Sequence, residues 1–244
     1  MFYTERHEQI IKILRQRSSA SVHYLAKALF MSEPTIRRDL KILEGEGKIK
    51  RTFGGAVLCE NINKEIPLAL RERENMKAKE EIAKRAARLI TDGSVVFLDA
   101  SSTVLKMTEY LSGLSNITVI TNSPRASMSL AEKKIKSFCT GGLLLESSIA
   151  YIGDQARRFV GDFNADMFFF SSRGISDGGI ITDSSVEETE LRRTMLESSE
   201  KHIFLCDGKK IGKKYMYKLC SLNRVDEIIS DASYPPEFEN MLRR

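Results

Sequence analysis

The sequence predicts an α/β protein in two parts: a small, mainly helical domain over residues 1–57, then a doubly wound, mostly parallel sheet domain. Three observations predict it. Apolar residues recur at helical spacing through the first part. From residue 94 onward, short β-rich runs alternate with helical patterns. The excess positive charge is confined to the front. Residues 1–57 hold 11 Lys and Arg against 6 Asp and Glu, whereas the remaining 187 residues hold 27 of each sign. A basic domain ahead of a neutral one points to a polyanion partner for the front part.

Composition excludes several classes. With 42% apolar and 29% charged residues in 244, the chain has a globular balance and the length of two ordinary domains. The longest apolar runs, such as Ser94 to Leu98 and Met167 to Phe170, are too short to span a bilayer. No leader-like stretch opens the chain, so a cytoplasmic protein without a membrane partner is expected. Cys59, Cys139, Cys206 and Cys220 are widely spaced and form no Cys-x-x-Cys pair. They read as small buried hydrophobes in a reducing compartment. His7, His23 and His202 offer little for a metal site, and neither a metal nor a cofactor is expected.

The elements follow in order. Thr4 can cap a first helix whose apolar positions are Ile10, Ile13 and Leu14. Ser21 can cap a short second helix with Val22, Leu25, Ala26 and Leu29 on one face, and Ser32 a third. In the third, Ile36, Leu40 and Leu43 form the apolar stripe, and Gly45 and Gly47 end it. Two helices, over 21–29 and 33–45, joined by about three residues make a helix-turn-helix. At 100° per residue, Arg38 and Lys41 lie opposite Ile36 and Leu40, with Thr35 and Arg37 at the flanks. That is where a recognition helix carries the side chains that grip phosphates and read bases in a major groove. Lys48, Lys50 and Arg51, before Thr52 to Ala56, read as a basic hairpin wing.

Residues 58–74 are polar and charged and read as a linker, with the sheet domain over 75–244. A helix over roughly 75–91 presents Ile82, Ala83, Ala86, Ala87, Leu89 and Ile90. Strands are predicted at Val95–Leu98, Ile117–Ile120, Ile135–Cys139, Met167–Phe170, Ile203–Cys206 and Glu227–Ile229. Helices are predicted near 104–112, from Pro124, and near 153–162, 185–199 and 235–243; Gly178-Gly179 suggests a hairpin within 174–182. In such sheets ligands bind beyond the carboxyl ends of the strands. Four of those ends are small and polar: Asp99 with Ser101, Ser102 and Thr103; Thr121, Asn122 and Ser123; Thr140 with Gly141 and Gly142; and Asp207 with Lys209 and Lys210. The first opens a helix, whose N-terminal N–H groups suit an anion.

The run LAKALFMSEPTIRRDLKILEGEGKIKRTFGGAV resembles the winged-helix signature of the DeoR family of bacterial transcriptional regulators. Ser32, Thr35, Ile36, Arg37, Arg38, Asp39 and Leu40, then Arg51 with Gly54, Gly55 and Ala56, carry the resemblance. It continues through Leu98-Asp99-Ala100, Val119 to Ser123, Gly141-Gly142, Gly174-Ile175, Glu188 with Met195, and Asp207 with Lys210. The resemblance implies a winged helix-turn-helix followed by an effector domain similar to sugar-phosphate isomerases. It also implies a double-stranded DNA operator as partner, a small phosphorylated metabolite as effector, and a homodimer or higher homo-oligomer. On this reading Ser32, Thr35, Arg37, Arg38, Lys41, Lys50 and Arg51 meet DNA. Asp99, Ser101, Ser102, Thr103, Thr121, Asn122, Ser123, Gly141, Gly142, Arg173, Glu188 and Lys210 surround the effector, with Asp99 accepting sugar hydroxyls. Three departures stand out. Phe30 replaces a small or turn-forming residue, Ser101-Ser102-Thr103 replaces Gly-Thr-Thr, and Arg173 replaces a small or amide residue. A serine in place of the glycine is expected to intrude on the ligand.

The expected function is a DNA-binding regulator, a repressor of a carbohydrate or related catabolic operon that its effector releases. Two other classes stay open. One is an isomerase-like enzyme using Asp99, Glu188 and Lys210. The other is a regulator that has lost ligand sensing through Ser101-Ser102.

Overall fold

The computed structural model of the chain describes residues 3–17, 19–45, 48–58 and 66–243. The chain forms two compact units, Met1–Lys64 and Glu65–Arg244. In the first, α1 (Tyr3–Arg17) leads into β1 (Ser19–Ser21), α2 (Val22–Ala28) and α3 (Glu33–Gly45), then the hairpin β2 (Ile49–Thr52) and β3 (Gly55–Leu58). Ser21 caps α2 as expected, its hydroxyl accepting from the Tyr24 N–H at 3.0 Å. Thr4 falls inside α1 rather than capping it, and its side chain lies outside the described residues, as do Gly47 and Cys59. The predicted stripes converge on one core, in which Ile10, Leu14, Leu25, Leu29, Ile36, Leu40 and Leu43 pack with Ile49 and Ala56. The strand β1, which the sequence reading lacked, pairs with β3 and closes a three-stranded sheet. Gly55 makes the pairing possible: a Cβ there would sit 2.2 Å from the Ala20 carbonyl oxygen.

Phe30, in the turn before α3, has φ +54° and is 93% exposed. The residue is therefore no part of the core. It bears the strain of a left-handed conformation with its ring in water.

The second unit begins earlier than expected. Residues 66–74, read as linker, contain α4 (Leu68–Arg73), whose Leu68 is buried and donates its N–H to the Ser147 carbonyl at 2.7 Å. One leucine anchors a segment whose charge made it look solvated. Asn75 then turns the chain at φ +51° into α5 (Met76–Ala87).

The remaining elements are β4 (Val95–Leu98), α6 (Ser102–Leu105) with a 3₁₀ turn over Lys106–Tyr110, β5 (Thr118–Thr121), α7 (Pro124–Glu132) and β6 (Lys136–Cys139). After these come β7 (Leu143–Leu145), β8 (Ala150–Ile152), α8 (Asp154–Gly161), β9 (Ala165–Phe170), β10 (Gly174–Ile175) and β11 (Ile180–Asp183). Then follow α9 (Val186–Glu197), β12 (Ser199–Leu205), β13 (Tyr217–Ser221), β14 (Glu227–Ile229) and α10 (Glu237–Met241). Six strands form one parallel sheet in the order β14-β12-β9-β4-β5-β6. The β7–β8 pair and the strand β13, which joins β10 and β11 in a small antiparallel sheet, went unforeseen.

Side-chain alternation builds a core on each face of the parallel sheet. Val96, Leu98, Phe169, Ile203 and Leu205 pack with Ile82, Ala83, Ala86 and Ala87 of α5. Phe97, Phe168, Phe170 and Phe204 pack with α8, α9 and the small sheet. Both faces are covered, which is why these strands read as unbroken apolar runs. The chain lays β4, β5 and β6 toward one edge and then returns to place β9 beside β4, so the direction of winding reverses between β4 and β9. A crevice opens at such a reversal.

Candidate nucleic-acid interface and ligand crevice

On the small unit, α3 divides cleanly. Its inner face carries Ile36, Leu40, Leu43 and the fully buried Asp39. Asp39 is bonded to Arg6 of α1 through Nε at 2.5 Å and Nη2 at 2.9 Å, and His7 Nε2 lies 3.4 Å away. Burial pushes the Asp39 carboxyl up, but Arg6 and His7 more than offset it and hold it below its ordinary range. This cluster fixes α3 against α1.

The outer face carries the predicted contact residues. Arg37, Arg38 and Lys41 are exposed, as are Lys50 and Arg51 on the hairpin, while Thr35 is half-buried. Ser32 and Thr35 share a hydroxyl hydrogen bond at 2.8 Å, and Ser32 Oγ accepts from the Thr35 N–H at 3.3 Å, so Ser32 is the expected cap. Arg37 lies 3.4 Å from Glu33, an exposed i,i+4 pair of little net energy that a phosphate can displace. Arg51 is held more firmly: Glu44 accepts from its Nε at 2.7 Å and its backbone N–H at 2.9 Å. The wing is thereby braced to α3. Among the described residues Arg38 and Lys41 have no ion-pair partner.

On the large unit, the loops after β4, β9 and β12 meet at the crevice. Asp99 is 1% exposed and both its oxygens are engaged. Oδ1 accepts from the Ser101 N–H at 2.9 Å; Oδ2 accepts from the Ser171 N–H at 3.2 Å and Arg192 Nε at 2.8 Å. This corrects the expectation that Asp99 receives sugar hydroxyls: the carboxylate is part of the scaffold. Arg192 also binds Asp183 at 3.0 Å and Glu188 at 3.3 Å. Burial pulls the Arg192 guanidinium down, but the three carboxylates outweigh it and hold it charged. Glu188, expected at the ligand, is accordingly a buried partner of Arg192. Asp183 and Arg192 were missed because they lie at sequence distances no motif links.

Lys210 Nζ donates to Ser171 Oγ at 2.7 Å and lies 3.5 Å from Asp207. Lys210, Ser171, Asp99 and Ser101 thus form one continuous chain of contacts. Asp207 also accepts from Asn75 Nδ2 at 3.0 Å. Burial pushes the Asp207 carboxyl up, yet Lys210 and Lys79 together hold it below its ordinary value. Lys79, absent from the sequence reading, is buried on α5 and donates to the Arg71 carbonyl. Burial, then the nearby Lys210, lowers its ammonium to about 8.

Ser101 does not intrude. Its hydroxyl turns back to cap α6, accepting from the Val104 N–H at 3.2 Å. Ser102 and Thr103 are buried beside it. Thr121 Oγ1 accepts from the Ser123 N–H, and Ser123 caps α7. Asn122 is tied to Tyr151 of β8 by its backbone carbonyl at 2.8 Å and its Nδ2 at 3.1 Å. Gly142 has a local cause: at φ +110°, a Cβ would meet the Ile152 carbonyl at 2.7 Å, while Gly141 faces open space. Arg173 Nη2 donates to the Ile66 carbonyl at 3.1 Å, the same oxygen that Arg71 Nε reaches at 2.8 Å.

Three buried polar atoms among the described residues lack a hydrogen-bond partner: Thr103 Oγ1, Asn122 Oδ1 and Ser148 Oγ. Thr103 and Asn122 follow the adjacent strands β4 and β5, and Ser148 lies in the turn between β7 and β8, the hairpin that Asn122 binds. Orphaned groups at a strand-end crevice are what a bound polar molecule would satisfy. Cys139, Cys206 and Cys220 are free thiols, and burial pushes those of Cys206 and Cys220 up to about 12. Among the described residues there is no His, Cys, Asp and Glu grouping suited to a metal. None of the helices described is long and apolar enough to cross a membrane.

Comparison with known proteins agrees with this division. Residues 6–61 match the DeoR-like helix-turn-helix domain, and residues 74–232 match the DeoR C terminal sensor domain. An uncharacterized HTH-type transcriptional regulator, YulB of Bacillus subtilis, is 35% identical across 97% of this chain and 92% of its own. The glycerol-3-phosphate regulon repressor of Escherichia coli is 29% identical across 96% and 93%. Among solved structures, a ribose 5-phosphate isomerase of Methanocaldococcus jannaschii shares 16% identity at a TM-score of 0.43, over 57% of this chain and 55% of that one. The outward basic face of the helix-turn-helix, the two family matches and the sequence relatives over nearly the whole length have one meaning: the chain belongs to the DeoR family of HTH-type transcriptional regulators.

Proposed function

We propose that the chain represses a carbohydrate or related catabolic operon and is released from DNA by a phosphorylated sugar or polyol bound in the crevice. The observation that carries this reading is the set of orphaned atoms Thr103 Oγ1, Asn122 Oδ1 and Ser148 Oγ, in the unit that also holds Lys210 and the buried Lys79. Neutral donors and acceptors suit hydroxyls, and the lysines supply countercharge for a phosphate. Asp99 and Glu188 are both spent on Arg192, which favours a sensor over an isomerase. The cap formed by Ser101 removes the reason for reading the site as closed.

On DNA, Arg37, Arg38 and Lys41 enter the major groove with Thr35, while Lys50 and Arg51 rest on phosphates. A homodimer built through the large unit places two such helices about one DNA turn, roughly 34 Å, apart. Exposed Met128, Phe138, Leu143 and Leu144, on α7, the sheet-edge strand β6 and β7, support an interface there.

Calorimetry with a panel of sugar and polyol phosphates tests the effector. One of them binds the wild type, and Lys210→Ala binds it about tenfold more weakly or worse, because a charge-assisted hydrogen bond is lost. Equal binding by both proteins places the pocket elsewhere. In a gel shift the same compound frees the DNA; tighter DNA binding in its presence would reverse the assigned sign of regulation.

A further inference from the structure

Phe53 stands at the tip of the wing. Thr52 and Gly55 are paired, so Phe53 and Gly54 form a two-residue turn in which Gly54, at φ +87°, takes the left-handed position. The ring is 85% exposed. The core of the small unit is already closed by Ile49 and Ala56 from the flanking strands, so folding gives Phe53 nothing to pack against. Lys50 and Arg51, both exposed, lie three and two residues before it on β2.

The tip is held in register with the recognition helix. The Gly54 carbonyl accepts from the Val22 N–H at 2.6 Å, at the first residue of α2. His23, the next residue, lies 3.1 Å from Glu33 at the first residue of α3, and Glu33 pairs with Arg37 at 3.4 Å. The turn that carries the ring is thereby tied to the start of α2, and α2 to the start of α3.

We propose that Phe53 is an apolar wedge. The wing enters the minor groove beside the site read by α3, and the Phe53 ring partly unstacks one base step and bends the operator. The partner chemistry follows from the surroundings. The exposed Lys50 and Arg51 of β2 suit phosphates, and the ring beyond them suits stacked bases. A phenyl group has no donor or acceptor with which to read a base edge. It selects by deformability, favouring pyrimidine–purine steps such as TA and CA. The wedge deepens the DNA-binding reading and rests on it.

The test uses full-length protein and end-labelled duplexes enriched by that protein from a random-sequence library. Energy transfer between the ends reports the bend. The wild type shortens the end-to-end distance; Phe53→Ala loses most of the bend and about tenfold in affinity, because the inserted side chain is gone. Phe53→Leu keeps most of both. The salt dependence of binding stays the same in all three, since no phosphate contact changes. Replacing pyrimidine–purine steps by stiff A-tract sequence weakens the wild type and leaves Phe53→Ala unaffected. Three results overturn the wedge: a straight duplex in the wild-type complex, bending and affinity unchanged in Phe53→Ala, or a change of mass in Phe53→Ala without DNA, which would make Phe53 a contact between copies. Failure to enrich any duplex would instead overturn the DNA-binding role of the small unit.

Discussion

On the small unit, Arg37, Arg38 and Lys41 stand in solvent on one face of α3, and Asp39 on the other face is buried against Arg6 and His7. In the large unit, Arg192 is itself inside, surrounded by Asp99, Asp183 and Glu188, and that cluster adjoins Lys210 through Ser171. The first arrangement keeps its solvated cations apart from the charges that hold the fold. The second builds its cation into the fold. Solvated cations on a helix can be removed at almost no folding cost, whereas a buried guanidinium cannot leave without stranding the charges around it.

The largest effect is expected where the comparison is sharpest. Arg192→Met leaves three buried carboxylates without their cation and destabilises the large unit by about 3–5 kcal/mol, read as a lower urea midpoint. An unchanged midpoint would show that the carboxylates take up protons or solvent at no cost, and the contrast would fail. On the small unit the double variant Arg37→Ala/Arg38→Ala is expected to keep its melting temperature while losing operator binding, each bidentate base contact contributing about 1–3 kcal/mol. Loss of stability there would mean that the outer face of α3 is also structural.

A smaller effect concerns Lys79. Its ammonium titrates near 8 in the folded chain, below the ordinary value of 10.5. Between these values the unfolded chain binds more protons, so stability rises with pH across that window. Unfolding free energies measured at pH 7.5 and 9.5 should diverge in the wild type and lose that difference in Lys79→Met. A phosphate bound beside it would restore the ammonium, so calorimetry in buffers of different ionisation enthalpy should show proton uptake near pH 8. Proton release, or none, would place the anion away from Lys79.

The smallest effect returns to the small unit. Phe30→Gly replaces a strained, solvent-facing residue with the one that tolerates its backbone, and a gain of about 0.5–1 kcal/mol is expected as a higher melting temperature. A loss would show that the Phe30 ring has a packing role that its 93% exposure does not suggest.

The sequence by itself determined what depends on neighbours a few residues apart. The caps at Ser21 and Ser32, the stripes through Leu25 and Leu40, the outward Arg37 and Arg38, and the six strands of the parallel sheet are written in local periodicity. Helix and strand periods sort residues to faces before any tertiary contact forms. The same logic placed Lys210 and Thr103 at strand ends, and the chain of contacts from Lys210 to Ser101 runs through the crevice. Tertiary structure alone decided what each polar side chain does there. Asp99 looks like a ligand acceptor until Arg192, 93 residues away, occupies it. Lys79 looks like one charge in a charged helix until burial beside Lys210 lowers its ammonium, and Leu68 looks like linker until it packs. A side chain's type sets which bonds it can make; which bonds it does make is fixed by partners that only the fold brings near, and by the water the fold removes.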